Sequence, residues 1–228
     1  RWIVGCTPST QLMVACRKSG TTIEKHAYIH PSHLPGTPTA SAWCSSATSV
    51  IAMDSIFLLQ EMERLGIAMD CTHLTDEAFW EALEIYSGPV WASHQNCRAL
   101  VPHQRQFSDE QLKALIERKA IIGMAFDAWM MHPGWQRGVT QPYTAGVNLA
   151  RIVEHVDHIC QLAGTTRHVG IGSDLDGGYG REQCPYDMQT IADMQTLAPI
   201  LAGRGYAAED VEAIMHGNWI RRLNDIWS

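Results

Sequence analysis

Residues 67–94 read IAMDCTHLTDEAFWEALEIYSGPVWASH, and residues 169–178 read VGIGSDLDGG. Three short apolar runs lie within them, IAMD, PVWAS and VGIG, and each leads into a side chain able to bind metal or move a proton. Those side chains are His73, His94 and Asp174. In parallel α/β proteins the strands open their C-terminal ends onto one face, where active sites are built. Between the first two runs, Thr75 stands at an N-cap position and Asp76 and Glu77 fill the first turn of a helix that Gly88-Pro89 breaks.

The same alternation continues on both sides. Residues 57–65 predict an amphipathic helix stopped by Gly66. Residues 108–111, SDEQ, form a capping box ahead of a helix with Leu112, Leu115 and Ile116 on one face. AIIGMAF, residues 120–126, reads as a strand and is followed by a Trp/Met/Pro-rich loop over 127–143. A long helix then carries Val147, Leu149, Ile152, Val153, Val156, Ile159 and Leu162 and ends at Gly164. Two helices close the chain, over about 186–201, with Pro199 near the end, and over about 209–226.

Strands alternating with helices predict parallel pairing and an α/β fold. A (β/α) TIM-type barrel is the first choice and an open doubly wound sheet the second. No GxGxxG opens a helix after a strand, which counts against dinucleotide binding. A complete eight-stranded barrel takes about 250 residues, so a chain of 228 leads us to expect a barrel incomplete at its N-terminus. We expect residues 1–55 to be a poorly matched segment supplying early strands or loop, and residues 56–228 to be the C-terminal part of the barrel. Makeshift strands there would be RWIVGC, LMVAC and SVIAM; without them an open sheet edge would favour self-association. His26 and His30 stand i,i+4 and would share a face if helical, whereas Pro31 favours a loop.

Hydrophobic residues make up 46% and charged residues 18%, as in a globular domain. The net charge of −7 and the lack of any Lys/Arg run argue against nucleic acid as a partner. No apolar run reaches the roughly 18 residues of a transmembrane segment. Seven scattered cysteines without a CxxC pair predict a reducing, cytoplasmic setting.

Neutral imidazoles are good zinc ligands. Two of them on neighbouring strands can share an ion, with a carboxylate on a later strand taking the proton of the bound water. The other reading is that His73 and His94 hydrogen-bond at the rim of the sheet.

IAMDCTH, PVWASHQNCRALVPHQRQFSDEQL, EHVDHICQLAG, HVGIGSDLDGG and IMHGNWIRRL, in this order, resemble the membrane (renal) dipeptidase family over about residues 58–223. The resemblance implies a metal-dependent-hydrolase (β/α) barrel with two zinc ions, cleaving the peptide bond of dipeptides through a metal-bound hydroxide. The family's D-x-[ST]-H motif falls on Asp70 to His73 and its S-H motif on Ser93-His94, which implies His73 and His94 as metal ligands. Arg105 falls on the arginine that binds the substrate carboxylate, and Asp174 on the catalytic proton acceptor and donor. Family members commonly form homodimers.

This chain has no H-x-D strand for the second ion, and the segment around Glu24 does not resemble the one carrying the bridging Glu. His33 lies at about the right distance before His73 to replace the substrate-binding His that steadies the intermediate. One zinc site is therefore incomplete. Two functions follow: a zinc-dependent dipeptidase-like hydrolase, or a catalytically impaired barrel remnant acting as a binding or structural protein. Asp70, Asp176, His155, His158 and Asn218 are read as structural or supporting groups, and Cys71 and Cys97 as small buried residues. Trp129, Trp135, Met130 and Met131 either wall a pocket or pack their own loop.

Overall fold

The computed structural model describes residues 2–6, 12–16, 27–29, 53–175 and 177–228. It divides into two compact units, Arg1–Trp91 with Ile226–Ser228, and Ala92–Asp225.

In the first unit, strands β1 (Trp2–Cys6), β2 (Leu12–Cys16), β3 (Ala27–Ile29), β4 (Ala68–Asp70) and β5 (Val90–Trp91) form one sheet in the order β3-β2-β1-β4-β5. RWIVGC and LMVAC thus become strands. β1 pairs antiparallel with β2 and parallel with β4, so a strand from the poorly matched segment lies beside β4. β4 and β5 are parallel and joined by helix α2 (Asp76–Ile85), since parallel neighbours need a crossover. The Thr75 side chain accepts from the Ala78 amide at 3.2 Å and Asp76 and Glu77 occupy the first turn, as the sequence predicts. Phe79 and Ala82 are buried, and the Tyr86 hydroxyl donates to the Ile67 carbonyl, which ties the end of α2 to the start of β4.

Two expectations for this unit are corrected. Of SVIAM, residues 49–52 lie outside the described residues, and Met53, read as the end of a strand, begins helix α1 (Met53–Leu65). Ser55, Leu59 and Met62 are all buried at helical spacing, so the inward face extends back past the predicted start at residue 57. The three residues between His26 and His30, where Pro31 favoured a loop, form strand β3; the two histidines lie outside the described residues.

In the second unit, β6 (Ile122–Met124) and β7 (Val169–Ile171) are parallel, with Met124 opposite Ile171. Ala92 bridges Ile122 in the parallel sense. Between β6 and β7 run a short 3-10 turn (Ala128–Met130) and helix α4 (Ala150–Ala163). Helix α4 ends at Gly164, whose φ of 65° is the left-handed cap glycine supplies. Ile152, Val153, Val156 and Ile159 are buried on one face of α4, each worth about 1.5–3 kcal/mol of burial. Helix α3 (Asp109–Glu117) opens with the Ser108/Gln111 capping box in both directions.

The C-terminal helices depart from expectation. A 3-10 segment (Ile191–Thr196) leads into α5 (Leu197–Arg204), followed by α6 (Ala208–Glu212), a π turn (Ala213–Gly217) and α7 (Asn218–Trp227). Pro199 sits in the first turn of α5 and not near the end of a helix. Its missing N–H would have no partner in a first turn, so proline is tolerated there. No helix among the described residues is long and apolar enough to cross a membrane.

Candidate active site

The geometry around His94 starts from two glycines. A Cβ on Gly123 would lie 2.0 Å from the Ser93 carbonyl oxygen, and one on Gly172 would lie 1.8 Å from it. Only glycine lets the Ser93 carbonyl enter between β6 and the end of β7. The Gly123 amide donates to the Ala92 carbonyl at 2.8 Å and the Gln95 amide to the Gly123 carbonyl at 2.7 Å, which fixes the backbone on both sides of His94.

So placed, His94 is 8% exposed, with Nε2 3.8 Å from Asp174 Oδ1 and Nδ1 sharing a hydrogen bond with the Ser93 hydroxyl at 2.8 Å. Burial, helped by the Arg105 guanidinium, holds its pKa down at about 3, so the ring is neutral near pH 7. Burial pushes Asp174 up to about 6 against the opposing pull of Arg105. Asp174 has a φ of 57° and His73 a φ of 71°, two of the three left-handed non-glycine residues among those described. Such conformations cost about 1 kcal/mol or more and cluster at functional sites. Gly177 approaches Asp174 so closely that a Cβ would sit 2.2 Å from Oδ1, which accounts for the first glycine of DLDGG.

Arg105 donates to the His94 carbonyl at 3.2 Å and to Gln95 Oε1, while Gln95 Nε2 returns a bond to the Arg105 carbonyl at 2.7 Å. The loop between them is closed by a parallel bridge from Cys97 to Phe107. His94, Arg105 and Asp174 are therefore brought together. His73 follows β4 in the other unit, and Asp70 Oδ1 accepts from the Thr72 amide at 3.0 Å in the same turn. His33 and Asp176 lie outside the described residues.

His155 is 1% exposed and its Nδ1 accepts from the Cys97 amide at 3.1 Å. His158 pairs with Asp109 at 2.7 Å. Asn218 donates to the Thr166 and Val169 carbonyls, both at 2.8 Å, fastening α7 to β7. Cys71 and Cys97 are buried free thiols, and burial raises the pKa of Cys97 far above its usual value. Met130 and Met131 are buried, His132 meets Trp135 edge-on and Trp129 meets His103, so these residues serve packing.

Gln95, Asp127 and Tyr179 also stand around the site and are not singled out by motif. Asp127 ends the apolar run AIIGMAF as Asp174 ends its own, which is the signal that could have found it. Tyr179 donates to the Ser173 carbonyl at 3.0 Å, steadying the residue before Asp174.

A neutral imidazole beside a carboxyl suits a metal in kind. In number the set falls short: among the described residues no three His, Cys, Asp or Glu side chains come together, whereas zinc takes three or four protein ligands.

A neutral imidazole, a carboxyl titrating near neutrality and a guanidinium are together suited to acid–base chemistry on an anionic substrate. Residues 46–227 match the family model of membrane dipeptidase, peptidase family M19, and the chain belongs to that family. It is 27% identical over 193 residues to an uncharacterized protein in the pqqA 5' region of Klebsiella pneumoniae, covering 85% of this chain and 65% of that one. It is 31% identical over 172 residues to dipeptidase tcpJ of Claviceps purpurea, covering 74% of this chain and 37% of that one. The chain thus spans only part of the length of these relatives. Among solved structures, the M19 metallopeptidase dipeptidase AC superposes with a TM-score of 0.68 at 25% identity, over 77% of this chain and 49% of that one. A Rhodobacter sphaeroides metallopeptidase, liganded with a phosphinate mimic of L-Ala-D-Ala, gives 0.63 at 24%, over 77% and 47%.

Proposed function

We propose that this chain is the C-terminal part of a (β/α) barrel that hydrolyses dipeptides. Family membership supports the reaction class. One observation carries the reading: Asp174, with its pKa pushed up to about 6, lies 3.8 Å from the neutral His94 while Arg105 is bonded to the His94 backbone. Arg105 binds the terminal carboxylate of the dipeptide, for which a guanidinium fork is suited. Asp174 accepts a proton from the attacking water and returns it to the leaving amine, work for which a carboxyl titrating near neutrality is matched.

His73 and His94 are each proposed as a metal ligand, zinc by the family's habit. A metal held there would supply Lewis-acid chemistry to the carbonyl and to water. His33 is the proposed substrate-side histidine. A homodimer and a cytoplasmic setting complete the proposal.

The test is metal content by mass spectrometry together with release of alanine from Ala-Ala. Wild type should bind metal and turn over. His73→Ala and His94→Ala should lose metal, and Asp174→Asn should keep its fold and lose turnover about 100-fold or more. Unchanged metal content in both histidine variants would overturn the ligand assignment. A wild type that binds no metal and leaves Ala-Ala intact would favour the remnant.

A further inference from the structure

The chain from β6 onward keeps the alternation of a strand. Gly123 bonds by its backbone to Ala92 and Gln95, Met124 accepts from the Gly172 amide at 3.1 Å, and the Phe126 amide donates to the Ser173 carbonyl at 2.9 Å. Ala125 therefore faces the same side as Gly123, toward the His94 segment. That segment's backbone leaves the sheet after Gln95, and the Asn96 side chain takes its place. Asn96 Nδ2 donates to the Ala125 carbonyl and Oδ1 accepts from the Ala125 amide, both at 3.0 Å. One amide side chain satisfies both backbone groups that a continuing strand would have satisfied.

A second amide closes on the same place. Gln106 Nε2 donates to the Met130 carbonyl at 2.8 Å, and Asn96 Nδ2 reaches that carbonyl at 3.3 Å. Asn96 follows His94 by two residues and Gln106 follows Arg105 directly. The Phe107 amide donates to the Asn96 carbonyl at 3.2 Å and Arg98 Nε to the Gln106 carbonyl at 2.8 Å, so both ends of the loop are tied together. Both amide residues are fully buried. A buried amide is costly unless it is bonded, and an apolar side chain of similar volume would fill the same space without that cost. Filling space therefore does not account for the two amides, whereas holding one backbone at a fixed place on another does.

We propose that Asn96 and Gln106 are positioning residues for the hydrolysis. They register the loop that carries His94 and Arg105 on the end of β6. The neighbouring Phe126 registers the Asp174 segment on the same end through Ser173. Adjacent residues, Ala125 and Phe126, thus hold the two sides of the site, and the 3.8 Å separation of His94 from Asp174 follows from both. This rests on the reading of His94, Arg105 and Asp174 as the working groups.

The experiment replaces each amide in the full chain by an apolar side chain of similar size, Asn96→Leu and Gln106→Met. Side-chain nitrogen NMR and Ala-Ala kinetics are recorded where each variant is folded. Asn96→Leu should move the ring signals of His94, leave those of the Asp109-bonded His158 in place, and lower kcat about 100-fold with little change in KM. Gln106→Met should move the Arg105 Nε signal and raise KM about tenfold with a smaller change in kcat. A merely structural role would lower the urea midpoint and leave the signals and kinetics of the folded protein as in wild type; that result would overturn the proposal. Should one variant not fold, the other decides. A wild type without turnover removes the dipeptidase reading, and the His94 and Arg105 signals then decide the positioning alone. Wild-type turnover with unmoved signals in the variants keeps the dipeptidase reading and removes the positioning.

Discussion

Replacing Gly172 by alanine puts the site's geometry to a direct test. The added Cβ would lie 1.8 Å from the Ser93 carbonyl oxygen and 2.9 Å from the Gly123 backbone, far inside ordinary contact. These neighbours are main chain, so no side chain can swing aside. Gly172 does not have a positive φ, so the cost is steric and not conformational. Overpacking of this kind costs about 3 kcal/mol, which lowers Tm by about 6–12 °C in a chain of this size. Relief requires the Ser93 carbonyl to retreat, carrying His94 away from Asp174, so activity should fall further than stability. The assay is urea unfolding with hydrolysis measured under folded conditions. Gly203→Ala is the control. Its Cβ meets nothing within 4 Å inside helix α5, and it should raise stability by about 0.5–1 kcal/mol. A Gly172→Ala protein within about 0.5 kcal/mol of wild type would refute the close approach.

Asp127 has its folded pKa raised from 3.8 to about 6, so ionising it opposes folding. That penalty is absent below about pH 4, grows between about pH 4 and 6, and is complete above, where it is of order 2 kcal/mol. Asp127→Asn should therefore be more stable than wild type at about pH 7.5 and gain nothing at about pH 3.5; a pH-independent difference in urea midpoint would contradict the burial argument. His155→Leu leaves the Cys97 amide without its acceptor and should cost about 1–3 kcal/mol in thermal unfolding. Loss of turnover at unchanged Tm would show instead that His155 touches substrate.

Local chemistry was legible in the chain. Thr75, Ser108 and Gly164 each mark a helix end by hydrogen bonds or backbone freedom that reach no further than a few residues, and all three do so as read. The four runs ending near His73, His94, Asp127 and Asp174 became strands because β-branched and apolar residues bounded by turns have few alternatives. Helix α1 begins earlier than its pattern predicts and Pro199 falls at a helix start, because a helix boundary depends on which neighbour covers its last turn.

Tertiary structure alone decided which side chains share a site. That His94 meets Asp174 rests on the Ser93 carbonyl passing between Gly123 and Gly172, a contact between segments far apart in the chain. That Asp127 matches Asp174 is a matter of register between β6 and β7. Their charge states follow from burial, a property of the folded surroundings and not of residue type.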